Sequence, residues 1–347
     1  MAKRQLYLQW DSTNNCNLNC THCYHSAHIE DKKQMNLKEA KDMLYDLSNT
    51  AKRWSMIPRI SISGGEPLMR KDLLKILEYA SKKEIITAIL TNGTLLTAKK
   101  ASEIYDAGVR RLQISIDGKK ETHNNIRKKS FAYDKALEGI INASASGIDV
   151  TVSMTLMQSN KNQFEDVIKA SINTGAKKVG FKTYVPDKQL GISDPEYMNA
   201  EDALKVFRET GDLIRKYGNK ITVLTSDVLW QIVESDNPAK KIAKQKNKYL
   251  TGCSAGYRAL SVLSDGIVYP CRRLPIKIGH IKEGISNLII DSDVMKELRN
   301  LDKMKKNTLC DKVSNCRGCR AVAYAVTGNF MAKDPMCFKY LLDKEND

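Results

Sequence analysis

The sequence holds no uninterrupted apolar run near the ~20 residues that cross a bilayer as a helix, so no membrane partner is expected. Its first ten residues, Met1 to Trp10, include Lys3 and Arg4 but no continuous apolar stretch ahead of a cleavage site. A secretory signal is therefore not expected, and the reading places the chain in the cytoplasm. No internal repeat or low-complexity segment is visible, and no basic motif interleaves aromatics in the base-stacking manner. That last absence counts against a metal-binding nucleic-acid module. Acidic residues are in deficit, 40 against 56 Lys and Arg, for a formal charge of +16. The balance favours an acidic partner: nucleic acid, an acidic peptide or a carboxylate-rich small molecule. It suits lysines spread over solvated helix faces equally well, because the stretches Lys240-Lys241 and Lys303 to Lys306 interleave with apolar residues.

Cysteine is missing from the 229 residues between Cys23 and Cys253, and that gap frames two groups. Cys16, Cys20 and Cys23 precede it; Cys253, Cys271, Cys310, Cys316, Cys319 and Cys337 follow. In a reducing compartment disulfides are a poor account of such clustering, and metal or catalytic roles are better ones. An odd total also argues against complete pairing within the chain. The remaining composition, 42% hydrophobic and 28% charged over 347 residues, is that of a globular protein with a sizeable core and more than one folding unit.

Between about residues 6 and 190, short apolar runs alternate with longer amphipathic stretches. The apolar start Leu6-Tyr-Leu, then Arg59 to Ser63, Thr87 to Thr91, Leu112 to Ile116, Asp149 to Leu156 and Val179 to Val185 read as strands. Leu73 to Ala80, Ala98 to Ala107, Tyr133 to Ser146 and Gln163 to Thr174 read as helices, two of them stopped by Gly108 and Gly147. Strands this apolar are buried on both faces, which makes the sheet parallel with helices packed outside. Six such units suggest a partial barrel, although spacing alone does not separate it from an open doubly wound sheet. Ala200 to Tyr217 reads as a further helix. From Cys253 the pattern changes to short strands, Cys and Gly, with a helix near Val294 to Leu301.

Cys16-Asn-Leu-Asn-Cys20-Thr-His-Cys23 sets three thiolates within one short loop directly after the first apolar run. Cys thiolates are the usual Fe–S ligands, and three of them leave one iron open to a substrate or cofactor. A zinc site completed by His25 fits the same residues but gives the barrel no task. After 40 intervening residues, Gly64-Gly65-Glu66-Pro67 ends the second strand, where glycine lets backbone approach a ligand. Together these elements resemble the radical S-adenosylmethionine (SAM) superfamily. The resemblance implies a partial (β/α)6 TIM-like barrel and a SAM-cleaving [4Fe–4S] cluster on Cys16, Cys20 and Cys23. It places His22 near the adenine and the Gly64 to Pro67 element at the methionine amino group. It also implies SAM contacts from Asn92, Ser115, Asp117 and Arg127. As a lone element Asp117-Gly118 reads equally as a turn, and Arg127 as a solvated side chain beside Lys128 and Lys129. The implied chemistry is one-electron reduction of the cluster, cleavage of SAM to a 5′-deoxyadenosyl radical, and hydrogen abstraction from a substrate C–H bond. Whether SAM is consumed or regenerated is left open.

In the second group, a hairpin turn at Asp265-Gly266 brings Cys253 and Cys271 together. The spacing resembles the SPASM extension of radical SAM enzymes, which holds auxiliary [4Fe–4S] clusters. Asn307 stands where the family's next cysteine belongs. Two auxiliary clusters, on Cys253, Cys271 and Cys319 and on Cys310, Cys316 and Cys337, are one reading. A single four-cysteine cluster with two cysteines left over is the other. The expected organisation is a radical SAM barrel over residues 1–190, a helical bridging region over 191–250 and an auxiliary Fe–S domain over 251–347.

This resemblance points first to modification of a ribosomally made peptide. With Cys16 so near the start, a separate leader-binding protein, or a leader site on the barrel itself, is then expected. Cys316-Arg-Gly-Cys319-Arg-Ala321 followed by Asp334-Pro335-Met336-Cys337 resembles the branch holding haem-pathway enzymes and several peptide maturases; the second expectation, which the first of these elements favours, is a small molecule, such as oxidative decarboxylation of a haem-pathway tetrapyrrole. Either reaction needs a low-potential electron donor such as flavodoxin or ferredoxin. His25, His28, His123 and His280 are expected to be packed or surface residues, and Tyr24 a packing residue.

Overall fold

The computed structural model describes residues 4–24, 33–233, 252–310, 312–314 and 316–346. His25, His28, Lys240-Lys241 and most of the expected bridging region's C-terminal third lie outside them.

Seven strands run parallel in chain order: β1 Gln5–Asp11, β2 Ile57–Ser63, β3 Ile86–Thr91, β4 Arg111–Ser115, β5 Asp149–Leu156, β6 Lys178–Thr183 and β7 Thr222–Leu224. Each pairs with its predecessor. This order settles what spacing left open. A doubly wound sheet reverses direction at a switch point; this one never does, so right-handed crossovers put the helices on one outer face. All six expected strands are present, and β7 is one more. In β1, Leu6, Leu8 and Trp10 are fully buried, with half-buried Tyr7 and Gln9 between them, the period-2 pattern of a pleated strand.

The helices α1 Leu37–Arg53, α2 Leu73–Lys82, α3 Ala98–Asp106, α4 Lys120–Arg127, α5 Ala132–Ala145, α6 Phe164–Asn173 and α7 Ala200–Tyr217 fill the connections. Residue spacing had not marked α1, although its start is written locally. Asn36 accepts from the Glu39 N–H, and Glu39 accepts from the Asn36 N–H, a reciprocal cap ahead of buried Ala40, Met43, Leu44, Leu47 and Ala51.

Beyond the barrel, β8 Ala259–Val262 and β9 Ile267–Tyr269 form the expected antiparallel hairpin. The structure adds that β8 pairs in parallel with β1, so the sheet continues from the barrel into the cysteine-rich region and ends at β10 Gly279–His280. The helix expected over Val294 to Leu301 is instead two. After α8 Trp230–Val233 and α9 Ile285–Ile290 come α10 Asp293–Arg299 and α11 Leu301–Thr308, broken at Asn300, whose side chain caps the second. Two further helices, α12 Arg320–Thr327 and α13 Lys339–Asn346, close the chain. Phe207 stacks within 5.4 Å of Phe181, Trp230 and Phe338, tying β6, α7, α8 and the C-terminal segment into one core. Among the described residues no helix is long and apolar enough to cross a membrane.

Candidate active site

The loop after β1 carries Cys16, Cys20 and Cys23, and it is met by residues that follow β2 and β3 and by the end of α4, on the carboxyl side of the strands, where barrel chemistry is built. Gly64 and Gly65 follow β2 and lie flat against this loop. A Cβ on Gly64, whose φ is +132°, would stand 2.4 Å from the Thr13 carbonyl, and one on Gly65 would stand 2.3 Å from that of Asn15. The Gly65 and Glu66 N–H groups donate to those same carbonyls at 2.8 and 2.7 Å. Only glycine permits this approach, and the geometry fixes the lead-in to Cys16.

Glu66 is fully buried. Its carboxylate accepts from the Leu68 N–H, the Thr91 hydroxyl and the Asn92 N–H at 2.7–3.1 Å. Burial raises its carboxyl above the ordinary range against those three bonds. Glu66 therefore braces the end of β3, and Pro67 opens the short turn that follows it. Asn92 in turn donates from Nδ2 to Asn17 Oδ1 at 2.9 Å, joining β3 to the cysteine loop. The Cys16 thiol is pushed up to about 11, chiefly by burial, while its Sγ accepts from the Leu18 N–H.

Asp117 and Arg127 form a buried pair at the end of β4. Arg127 Nε and Nη2 donate to Asp117 Oδ2 at 2.8 and 2.5 Å, and the Thr155 N–H donates to Oδ1 at 2.9 Å. Burial alone would raise the Asp117 carboxyl; the Arg127 guanidinium overrides it and holds it at about 2. Arg127 Nη1 also donates to Cys20 Sγ at 3.5 Å. Hence neither solvated-side-chain nor plain-turn readings of these two residues survive. Ser115 sits half-buried in register with Ser153. His123 is packed as expected: its Nδ1 accepts from the Asp117 N–H, and burial holds the ring neutral, with its pKa lowered to about 3. His280 is half-buried and caps a short turn. Tyr24 packs under the Arg272 guanidinium, 4.4 Å from its centre.

His22 supplies the observation that bears on a bound nucleoside. Its Nδ1 is buried with no hydrogen-bond partner among the described residues. Burial lowers the ring to about 4, so it stays neutral near pH 7. A buried nitrogen without a partner among the described residues, within the cysteine loop itself, fits a ligand there.

The later cysteines divide in two. Cys253, Cys271 and Cys319 surround Arg273: burial would lower that guanidinium, and these three with Asp227 reverse the shift. Cys310, Cys316 and Cys337 form the other trio, the Cys316 thiol pushed up to about 12 by burial with Cys337, Asp334 and Cys310 adding. This trio lines a cavity of about 260 Å³, many times the ~30 Å³ share of one water. Burial raises the Cys337 thiol as well, and thiols beside such a space fit a multi-atom centre whose irons would draw them into the thiolate form. Among the described residues no trio of His, Cys, Asp or Glu converges on a single-ion position.

Known protein families match both halves of this arrangement. The model of the radical SAM superfamily matches residues 10–170, and that of the SPASM iron–sulfur cluster-binding domain matches residues 253–320. The chain carries a radical SAM domain followed by a SPASM domain. It is an enzyme whose domains take [4Fe–4S] clusters and SAM. Its curated relatives include an AdoMet-dependent heme synthase of Methanosarcina barkeri, 28% identical over 97% of both chains. They also include the mycofactocin maturase MftC of Mycolicibacterium smegmatis, 24% identical over 95% of this chain and 82% of the relative. Among solved structures, native anSMEcpe with bound AdoMet superposes with a TM-score of 0.75 over 98% of this chain and 96% of that one, at 20% identity.

Several residues at this site carry no sequence motif. Arg70 donates to the Ser12 and Met35 carbonyls and lies 5.0 Å over the Trp10 ring, clamping the base of the cysteine loop. Asp11 pairs with Arg272 across the junction between barrel and hairpin. Only the position of Asp11 at the end of β1 could have hinted at its part.

Proposed function

We propose that this radical SAM enzyme acts on a tetrapyrrole through a propionate side chain. The observation that carries the reading is a pair of cations at the barrel mouth. Lys182 extends from the carboxyl end of β6. Arg273, just after Cys271, donates from Nη1 to the Thr183 carbonyl at 2.6 Å. Both stand beside Cys271 and Cys319. Asp227 offsets part of this charge, but its carboxylate is held by the Thr183 N–H and hydroxyl and the Leu229 N–H. A carboxylate entering here meets two half-buried donors, Lys182 also donating to the Ser226 carbonyl, and a charge-assisted bond is worth about 1.5–3 kcal/mol. The named activity of the heme synthase relative supports the same reading. A peptide substrate remains the second reading, supported by the mycofactocin maturase relative and by the excess of positive charge.

In this proposal Cys16, Cys20 and Cys23 hold the SAM cluster. His22, Gly64, Gly65, Asn92, Ser115 and Arg127 line the SAM site, and Glu66, Pro67 and Asp117 keep that lining in place. Cys253, Cys271 and Cys319 hold one auxiliary cluster, and Cys310, Cys316 and Cys337 hold a second. The bound cluster and SAM supply the radical that removes hydrogen. The chain's own work is to order the loop, exclude water behind β1 to β6 and orient the substrate carboxylate. We assign residues 1–190 to the barrel, 191–250 to a bridge and 251–347 to the auxiliary domain.

The test is a visible-absorbance titration of the reconstituted enzyme with an iron tetrapyrrole carrying free propionates, against its methyl ester. Preferential binding of the acid, weakened about tenfold, or 1.4 kcal/mol, by Arg273→Gln, is the expected result. Binding of a candidate acidic peptide with no tetrapyrrole binding would replace this reading with the second.

A further inference from the structure

The cavity around Cys310, Cys316 and Cys337 has features that ligating a cluster does not require. Leu309, at its edge, is 92% exposed, the most exposed large apolar side chain described. It also has φ +51° at the end of α11, a left-handed position that glycine or asparagine normally takes. For a leucine this costs roughly 1–2 kcal/mol, and it turns the side chain to water rather than into the small core of Met304, Val313 and Met331 beneath. A lone exposed leucine is ordinary. Here Tyr340, another exposed large side chain, lies on the same cavity.

Charge is arranged around these two apolar groups. Among the described residues five cations line the cavity against Asp334 and Asp343: Arg317 and Arg320 are buried, Lys339 pairs with Asp343, Lys312 is half-buried and Lys333 is exposed. Both carboxylates are committed: Asp334 accepts from the Cys319 and Met336 N–H groups, and Asp343 from Lys339. Lys305 and Lys306 add charge in the last turn of α11. An apolar centre with a cationic rim is the pattern of a surface that steers and then holds an acidic partner.

We propose that this face docks an acidic one-electron carrier protein, with Leu309 as the apolar anchor and Lys312 and Lys333 as steering charges, bringing the carrier's redox centre against the Cys310, Cys316 and Cys337 group. The proposal rests on the assignment of those cysteines as cluster ligands. The carrier would give up one electron and leave oxidised by one, and a cluster held by Cys310, Cys316 and Cys337 would be reduced by one; no bond is made or broken.

Flavodoxin is the probe. Its binding to the reconstituted enzyme is measured from about 50 to about 300 mM salt for wild type, Leu309→Glu, and Lys312→Glu/Lys333→Glu, with Lys99→Glu/Lys135→Glu, on α3 and α5, as a control matched in charge to the double variant. Wild-type affinity is expected to fall steeply with salt. Both cavity variants should bind about tenfold more weakly at low salt, and the control should stay within about twofold. Flavodoxin-driven 5′-deoxyadenosine formation should fall in the same variants while dithionite-driven formation holds. Equal affinity of all four proteins overturns the proposal, as does failure of the wild type to bind both flavodoxin and an acidic ferredoxin. Iron counting on Cys310→Ala separates the two claims. An unchanged iron content removes the ligand assignment, whereas docking is decided by the binding data alone.

Discussion

Asp117→Asn is the perturbation whose outcome follows most directly from the geometry. The substitution keeps the shape of a fully buried side chain and removes its charge. Arg127, 8% exposed, then keeps a guanidinium whose Nε and Nη2 had both donated to that carboxylate. Stranding one partner of a buried pair costs about 3–5 kcal/mol, more than the net worth of the intact pair. With an unfolding entropy near 2.1 cal/mol/K per residue, that corresponds to a fall in Tm of roughly 4–7 °C for a chain of this size. The assay is thermal and urea denaturation of the reduced, iron-free protein, so that cluster loss does not intrude. The double variant Asp117→Asn/Arg127→Met should recover much of the loss, because it leaves no charge stranded. The pH dependence has a definite sign. A carboxyl held down at about 2 contributes stability that is fully present above its ordinary value of about 3.9 and is lost as pH falls through about 2. The gap between wild type and Asp117→Asn should therefore be level from neutral pH to about 4 and narrow below it. A cost under about 1 kcal/mol, or a double variant as unstable as the single one, would refute the reasoning.

Three more outcomes are expected. Replacing Cys16, Cys20 and Cys23 together by Ala should remove about four irons per chain and abolish dithionite-driven 5′-deoxyadenosine formation, by iron assay and chromatography. Replacing Cys253, Cys271 and Cys319, or Cys310, Cys316 and Cys337, should each remove about four more, and removal of all auxiliary iron by either set alone would show a single shared centre. Gly65→Ala places a methyl 2.3 Å from the Asn15 carbonyl, so the cysteine loop must shift; SAM cleavage should fall about 100-fold with the far-ultraviolet circular dichroism unchanged.

Much of this architecture was legible because the signals were local. The strands β2 to β6 announce themselves by apolar runs of fixed length, and α7 by an apolar stripe beginning at Ala200, with the structure matching its bounds from Ala200 to Tyr217. The cysteine loop and Gly64-Gly65 carry their chemistry in their spacing. What spacing could not give was direction and partnership. The parallel order that distinguishes a barrel from a doubly wound sheet is a property of pairing, as is the alignment of β8 with β1. Arg127 illustrates the limit best. Its neighbours Lys128 and Lys129 are both exposed, and nothing in the sequence says that the helix ending at Arg127 turns that one cation inward.

The pairing of β8 with β1 also explains why cysteines separated by more than two hundred residues belong to one catalytic unit. Register places Tyr7 against Ala259 and Trp10 against Val262, so the hairpin leaves the sheet beside the carboxyl end of β1. Cys271 and Arg273 then return over the barrel mouth, where Arg273 reaches the end of β6 and Arg272 reaches Asp11 at the end of β1. Two adjacent arginines thereby bridge the first and sixth strands, from opposite sides of the opening that a substrate must cross. A helix-only linkage would leave that spacing free to vary. A sheet hydrogen-bonded on both sides of β1 does not, since each ladder bond constrains the strand that carries the cysteine loop. The distance between the two cysteine groups is thus set by backbone pairing, and in the proposed function substrate choice falls to the few side chains, Lys182 and Arg273 among them, that stand at the barrel mouth.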